Sequence, residues 1–241
     1  MSTAKLRMVA GPNGSGKSSL LNYLLKTYSL PLGFNLNPDE IEKQLVATGL
    51  LDFGVWGLQV DALDLQTFFR EHPLTDPKTS TLPVVSKNKL AMVPVLAGGY
   101  FTAMLCDFLR RGWLRTGRSF TFETVMSGPD KIDFLRRAHE RNYRTYLYYI
   151  CTDDYRINED RVASRVAQGG HRVPPEKIEP RYKRSLGLLR GAIQFSDRAY
   201  LFDNSGKEHR FIAEFESNKL IRISQDLPNW FVDSVLNKQA T

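Results

Sequence analysis

The stretch Gly11-Pro12-Asn13-Gly14-Ser15-Gly16-Lys17-Ser18 constrains this chain more than any other. It has the form G-x-x-x-x-G-K-[ST], and its neighbours fit it. Before it, Leu6-Arg7-Met8-Val9-Ala10 reads as a short apolar strand. After it, Leu20, Leu21, Leu24 and Leu25 recur at helical spacing. Glycines let successive backbone N–H groups turn inward toward phosphate oxygens. The helix that follows adds the positive end of its dipole. The pattern therefore predicts an ATP site over Gly11, Pro12, Asn13, Gly14, Ser15, Gly16, Lys17, Ser18 and Ser19. Lys17 is expected at the β- and γ-phosphates, and the Ser18 hydroxyl on Mg2+.

The rest of the chain alternates strands with helices. Strands are expected at 34–36, 119–122, 145–150 and 199–202, and a terminal hairpin over 211–215 and 219–223. Helices are expected from near Asp39, over 100–111, 131–140 and 156–168, and over 175–189. Gly169-Gly170 stops the fourth of these. Residues 51–97 mix Gly, Pro and aromatic residues and read as a loop-rich insertion. The alternation predicts one α/β domain over 1–241, a kinase-type parallel sheet with helices on both faces. Ligands of such sheets bind beyond the carboxyl ends of the strands.

A P-loop specifies a nucleoside triphosphate but not its use. A kinase also needs a group for the acceptor hydroxyl and cations for the phosphoryl. Asp39 and Glu40 follow the second strand and open a helix. Either serves as base or as helix cap. Glu123 ends the strand Phe120–Phe122. Arg161, Arg165, His171, Arg172, Arg181, Lys183 and Arg184 surround the Gly-Gly break, and residues 154–192 read as a helical lid. The same pattern also arises from two helices with solvated basic faces.

The net charge of +7 comes from the middle of the chain: residues 101–200 hold 19 Lys and Arg against 12 Asp and Glu. That surplus suits an anionic ligand. No apolar run reaches the roughly 20 residues of a membrane span. Met8-Val9-Ala10 is too short for the apolar core of a secretion signal. Cys106 and Cys151 form neither a disulfide framework nor a metal spacing and are expected as buried thiols. The protein reads as cytoplasmic.

Together these residues resemble the zeta-toxin-like kinases, and more closely their chromosomal relatives labelled predicted ABC-type ATPases. The resemblance rests on Ala10–Ser18, Asn37-Pro38-Asp39-Glu40-Ile41 and Ser119–Thr124. It continues through Arg161–Val166, Gly169-Gly170-His171-Arg172-Val173-Pro174, Arg181-Tyr182-Lys183-Arg184-Ser185-Leu186 and Asp203-Asn204-Ser205-Gly206. It implies a fold like shikimate- and adenylate-type kinases. It also implies phosphorylation of the sugar 3′-hydroxyl of UDP-N-acetylglucosamine, and an antitoxin-like partner protein. Asp39 would match the catalytic base, and Glu123 and Thr124 a segment facing the sugar nucleotide. Arg165 and Arg172 would match phosphate-binding arginines, with Arg161 a competitor for the first role. Val125-Met126-Ser127-Gly128 lacks the arginine that zeta toxins carry near that point. No ABC-transporter signature is present. The rival readings are a nucleic-acid end kinase and an ATP-dependent switch.

Overall fold

The computed structural model describes residues 3–75, 82–91, 99–170 and 173–237, and the chain divides into two compact units. One comprises Met1–Gly33 and Ser119–Thr241, the other Phe34–Arg118. The first stretch gives β1 (Lys5–Ala10) and α1 (Lys17–Tyr28). The second unit holds β2 (Phe34–Leu36), α2 (Pro38–Thr48), β3 (Leu50–Asp52), α3 (Ala62–Glu71), β4 (Val84–Ser86), β5 (Lys89–Ala91) and α4 (Gly99–Thr116). The chain then returns to the first unit with β6 (Phe120–Thr124), α5 (Asp130–Glu140), β7 (Arg144–Cys151), α6 (Tyr155–Ala167) and α7 (Ile178–Gln194). It ends with β8 (Arg198–Asp203), β9 (Arg210–Glu216), β10 (Lys219–Ile223) and the short α8 (Asn229–Phe231).

In the first unit the strands run in the order β10-β9-β8-β7-β1-β6. The pairs β1–β6, β1–β7 and β7–β8 are parallel, and β8–β9 and β9–β10 antiparallel. The parallel strands are apolar almost end to end because helices cover both faces. On one face α1 packs Leu20, Leu21 and Leu24 against Val9, Tyr148, Ile150 and Phe202. On the other, Phe134 of α5 meets the rings of Phe120 and Phe122 at 6.1 and 5.7 Å. This is the parallel α/β fold expected from the alternation. Register sets Val9 beside Glu123, Ala10 beside Tyr149 and Cys151 beside Asp203. The carboxyl ends of β6, β1, β7 and β8 therefore share one edge, and the phosphate-loop motif follows β1 there.

The chain's last segment closes on that same edge. Trp230, 3% exposed, donates its indole N–H to Asp203 Oδ2 at 2.9 Å and its backbone N–H to Asp153 Oδ1 at 3.3 Å. The Phe231 ring lies 5.9 Å from that of Trp230, and Phe231 and Val235 are both buried.

The second unit corrects the loop-rich reading of 51–97. It contains α3, capped by Asp61, whose side chain accepts from the N–H groups of Leu63 and Asp64. It also contains a three-stranded antiparallel sheet in the order β3-β5-β4. Lys87 and Asn88 join β4 to β5 at φ 49° and 62°, the left-handed pair that a tight hairpin requires. Residues 76–81 and 92–98 of that stretch lie outside the described residues. Helix α4 runs past the expected Arg111 because buried Trp113 continues its apolar face. Trp113 stacks on Phe34 at 5.2 Å and donates to the Trp56 carbonyl at 2.7 Å. The helix expected over 175–189 begins instead with a tight turn at Pro175–Lys177 and continues as α7 to Gln194.

Cys106 and Cys151 are both buried, as expected. Burial pushes each thiol up to about 12. No helix among the described residues is long and apolar enough to cross a membrane.

Candidate phosphate-binding site

The loop between β1 and α1 is braced from three sides. Gly16, which precedes α1, sits at φ 97°, and a Cβ there would lie 2.3 Å from Asn204 Nδ2. The same Nδ2 donates to the Ser15 carbonyl at 2.8 Å. Asn204, buried just past β8, thus fixes the loop's curl, and only glycine admits that approach. A Cβ at Gly14 would meet the Asn158 carbonyl at 2.5 Å, so the first turns of α6 lie directly on the loop. Asn158 is fully buried; its Oδ1 accepts from the Thr152 hydroxyl, and its Nδ2 has no protein partner. Lys17 folds its ammonium onto the loop it follows, donating to the carbonyls of Gly11 and Pro12 at 3.0 and 2.9 Å.

At the mouth of the loop the Ser18 hydroxyl donates to Glu123 Oε2 at 2.9 Å. Ser18 and Ser19 are exposed and Glu123 half-buried. The pairing follows from register, because Glu123 lies beside Val9 on the sheet face that α1 covers. Thr124 is committed to local structure. Its carbonyl accepts from Gly11 N–H at 3.2 Å and its hydroxyl accepts from Met126 N–H at 3.1 Å. That second bond closes a turn with Met126 at φ 52°. A hydroxyl and a carboxylate in contact are the hard-oxygen set that, with phosphates and water, completes a Mg2+ shell. Among the described residues no group of three or more His, Cys, Asp or Glu forms a separate cage.

The arginines divide. Arg161 of α6 donates from Nη2 to the Gly206 carbonyl at 3.2 Å, and its Nη1 is buried with no protein partner. Arg165, one turn later, is exposed, and Gly170 N–H returns to its carbonyl at 2.9 Å. Arg172 and His171 lie outside the described residues. Helix α7 supplies two contacts that the sequence did not single out. Arg181 Nη1 donates to Asn13 Oδ1 of the phosphate loop at 3.3 Å, and Arg184 Nε donates to the Ser127 carbonyl at 3.2 Å. The signal was present, since both belong to the Arg-Tyr-Lys-Arg run. Spacing alone does not say which face of a helix meets the loop.

Asp39 belongs to the second unit, in the first turn of α2. Asn37 is the cap: its Oδ1 accepts from Asp39 N–H at 3.0 Å. The cap reading of Asp39 and Glu40 is therefore overturned, because the residue before Pro38 already holds the position. Both carboxylates are exposed. Within this unit the Asp39 charge lies near enough to the buried Cys106 thiol to help raise its pKa, after burial itself.

No family model matches the sequence, and no curated protein matches it. Solved structures do. A crystal structure of AvrRxo1-ORF1:-ORF2 with ATP matches at TM-score 0.57 and 14% identity, over 91% of this chain and 60% of that one. The same complex with sulphate ions matches at TM-score 0.54 and 15% identity, with the same coverage. The PezAT chromosomal toxin–antitoxin system of the human pathogen Streptococcus pneumoniae matches at TM-score 0.51 and 12% identity, over 88% of this chain and 73% of that one. This chain thus spans about 60% of the length of the AvrRxo1 chain it matches. At such identities the likeness concerns architecture alone, the α/β P-loop kinase-type fold with its mostly parallel sheet.

Proposed function

We propose that this protein is an ATP-dependent kinase that transfers the γ-phosphate to a hydroxyl of a small acceptor. One observation carries the reading: Lys17 is drawn onto a fully braced phosphate loop while Ser18, at its mouth, meets Glu123 at the end of the neighbouring strand. Backbone N–H groups and Lys17 bind the β- and γ-phosphates. Ser18 and Glu123 would hold Mg2+, which when bound neutralises charge on the phosphates. Glu123 is thereby assigned to the metal edge in place of the sugar-facing role that the resemblance implies. In the transfer the acceptor oxygen bonds to the γ-phosphorus, the bond from that phosphorus to the β–γ bridging oxygen breaks, and ADP leaves. The hydroxyl proton passes to a carboxylate, assigned to Asp39 on its place in the sequence and its release from capping. Lid arginines 161, 165 and 172 meet the charge of the migrating group.

The resemblance favours a nucleotide sugar such as UDP-N-acetylglucosamine as acceptor. AvrRxo1-ORF1:-ORF2 pairs two components and PezAT is a toxin–antitoxin system, which supports an antitoxin-like protein partner; a cytoplasmic setting rests on the sequence alone. The test is incubation with γ-labelled ATP, Mg2+ and a panel of metabolites that includes UDP-N-acetylglucosamine, followed by identification of the labelled product. Label on a sugar nucleotide is expected. Label confined to oligonucleotide ends, or ADP release with no labelled acceptor, sinks the reading in favour of an end kinase or a switch. In the same assay Asp39→Asn should keep ATP binding and lose transfer, and Glu40→Gln should change little. Full transfer by Asp39→Asn removes Asp39 from the chemistry.

A further inference from the structure

Asp203, which ends β8, and the three residues after it each answer to a different part of the first unit. Asp203 Oδ2 accepts the indole N–H of Trp230 at 2.9 Å. Asn204 Nδ2 donates to the Ser15 carbonyl of the phosphate loop at 2.8 Å. The Ser205 hydroxyl accepts from Asp153 N–H, just past β7, at 2.8 Å. The Gly206 carbonyl accepts from Arg161 Nη2 of α6 at 3.2 Å. One short turn thus meets the nucleotide loop, the arginine helix and the segment around Trp230.

The turn keeps its shape through Asp203. That side chain is 4% exposed and gathers three donors. Ser205 N–H reaches Oδ1 at 3.0 Å, and the Ser205 hydroxyl and the Trp230 indole both reach Oδ2 at 2.9 Å. Arg210 stands 3.9 Å from Oδ1. A buried carboxylate is stable only while such donors satisfy it, and losing one costs more than a typical hydrogen bond contributes. Of the three donors, only Trp230 comes from outside the turn. It is itself firmly seated. Its ring lies 5.9 Å from that of Tyr149, its backbone N–H reaches Asp153 Oδ1, and Asn229 Nδ2 reaches Asp153 Oδ2 at 3.2 Å. Residues 229 and 230 therefore grip two carboxylates at the edge from which the phosphate loop springs.

We propose that Trp230 is a positioning residue for the nucleotide. It fixes Asp203, Asp203 fixes the turn, and the turn sets Asn204 against the phosphate loop and Gly206 against Arg161. Nucleotide affinity is thereby set in part by residues 229–236, and by linkage bound nucleotide tightens that segment. The identity of the ligand rests on the kinase reading given above.

Calorimetry on the full chain with a non-hydrolysable ATP analogue and Mg2+ tests this, well below every melting transition. Trp230→Phe keeps an aromatic ring and loses the indole N–H. It should weaken the analogue about 3- to 10-fold, part of what a hydrogen bond to a buried carboxylate is worth. Asn204→Asp removes the amide donor at nearly constant size and should weaken it by about 10-fold or more. Val235→Ala separates positioning from plain stability, because Val235 is fully buried in the same segment. It should lower the melting temperature at least as much as Trp230→Phe, yet leave analogue affinity within about twofold. In the wild type, saturation with the analogue should slow amide exchange at Trp230 and Phe231. Melting curves confirm that each variant is folded. If Trp230→Phe binds the analogue as the wild type does, if Val235→Ala weakens it as much, or if exchange at Trp230 does not respond, Trp230 is a packing residue and the kinase reading stands without it. If the wild type itself does not bind the analogue, the kinase reading falls and the positioning role falls with it.

Discussion

Helices α6 and α7 look alike in the sequence, since both follow β7 and both are rich in arginine, yet the structure uses them differently. In α6 only Asn158 and Val162 are buried, and Val162 packs in a small satellite cluster with Val173 and Ile178. In α7 six side chains are buried, from Ile178 to Ile193. The first helix touches the phosphate loop by its backbone and then leaves the core; the second is a structural beam whose arginines are held in place. An arginine on a loosely packed helix reaches a phosphate only by paying side-chain and segment entropy. One on an anchored helix is preorganised.

The largest test of this contrast calibrates it. Lys17→Ala should lower phosphoryl transfer on the order of 10³-fold or more, since a donor aimed at transition-state charge is lost. Wild-type turnover in that variant removes the common site that both helices are said to serve. Next, Leu189→Ala should destabilise by about 2–5 kcal/mol, the usual cost of emptying a core site. Val162→Ala should cost about 1 kcal/mol, fewer methyls leaving a smaller cluster. Chemical denaturation measures both; equal losses erase the distinction between the helices. Third, Arg161→Ala should reduce kcat more than Arg165→Ala, because Arg161 carries the Gly206 contact and the buried Nη1 while Arg165 is exposed. The reverse order in steady-state kinetics transfers the phosphate role to the outer turn. The smallest effect concerns pH. The folded state holds both thiols protonated up to about 12, whereas an unfolded cysteine titrates near 8.5. Between those values the unfolded chain releases protons that the fold retains, so stability declines as pH rises and is unaffected by this pair below about 8. Rapid thiol labelling of the native protein at pH 8 contradicts this, and labelling at Cys151 would also mean that the end of β7 is open.

The phosphate loop was legible because its chemistry needs particular residues at fixed spacing and its flanking elements are strongly apolar. Glu123 was legible as a strand-end carboxylate, but its bond to Ser18 was not, because register between β1 and β6 is a long-range property. Asp39 and Asn37 are both visible in the sequence, and that Asn37 takes the cap follows from the local rule that an Asn directly before a first-turn proline holds that position. The segment 51–97 was misread because α3 is short and β4 and β5 meet at Lys87-Asn88 rather than at a glycine-bearing turn. The roles of Arg181, Arg184 and Asn204 depend on which helix face or loop meets Gly11–Ser18, and no periodicity encodes that.

Asn204 has a temporal consequence as well as a structural one. It locks the Ser15 carbonyl across a sequence separation of 189 residues, and its neighbour Asp203 is held in turn by Trp230. During synthesis the glycine-rich loop leaves the ribosome well before the side chain that shapes it, which follows 189 residues later. Contacts so distant in sequence form late. A nascent chain therefore carries the nucleotide motif long before it can hold a nucleotide, and ATP affinity should appear only when residues near 204 and 230 have emerged.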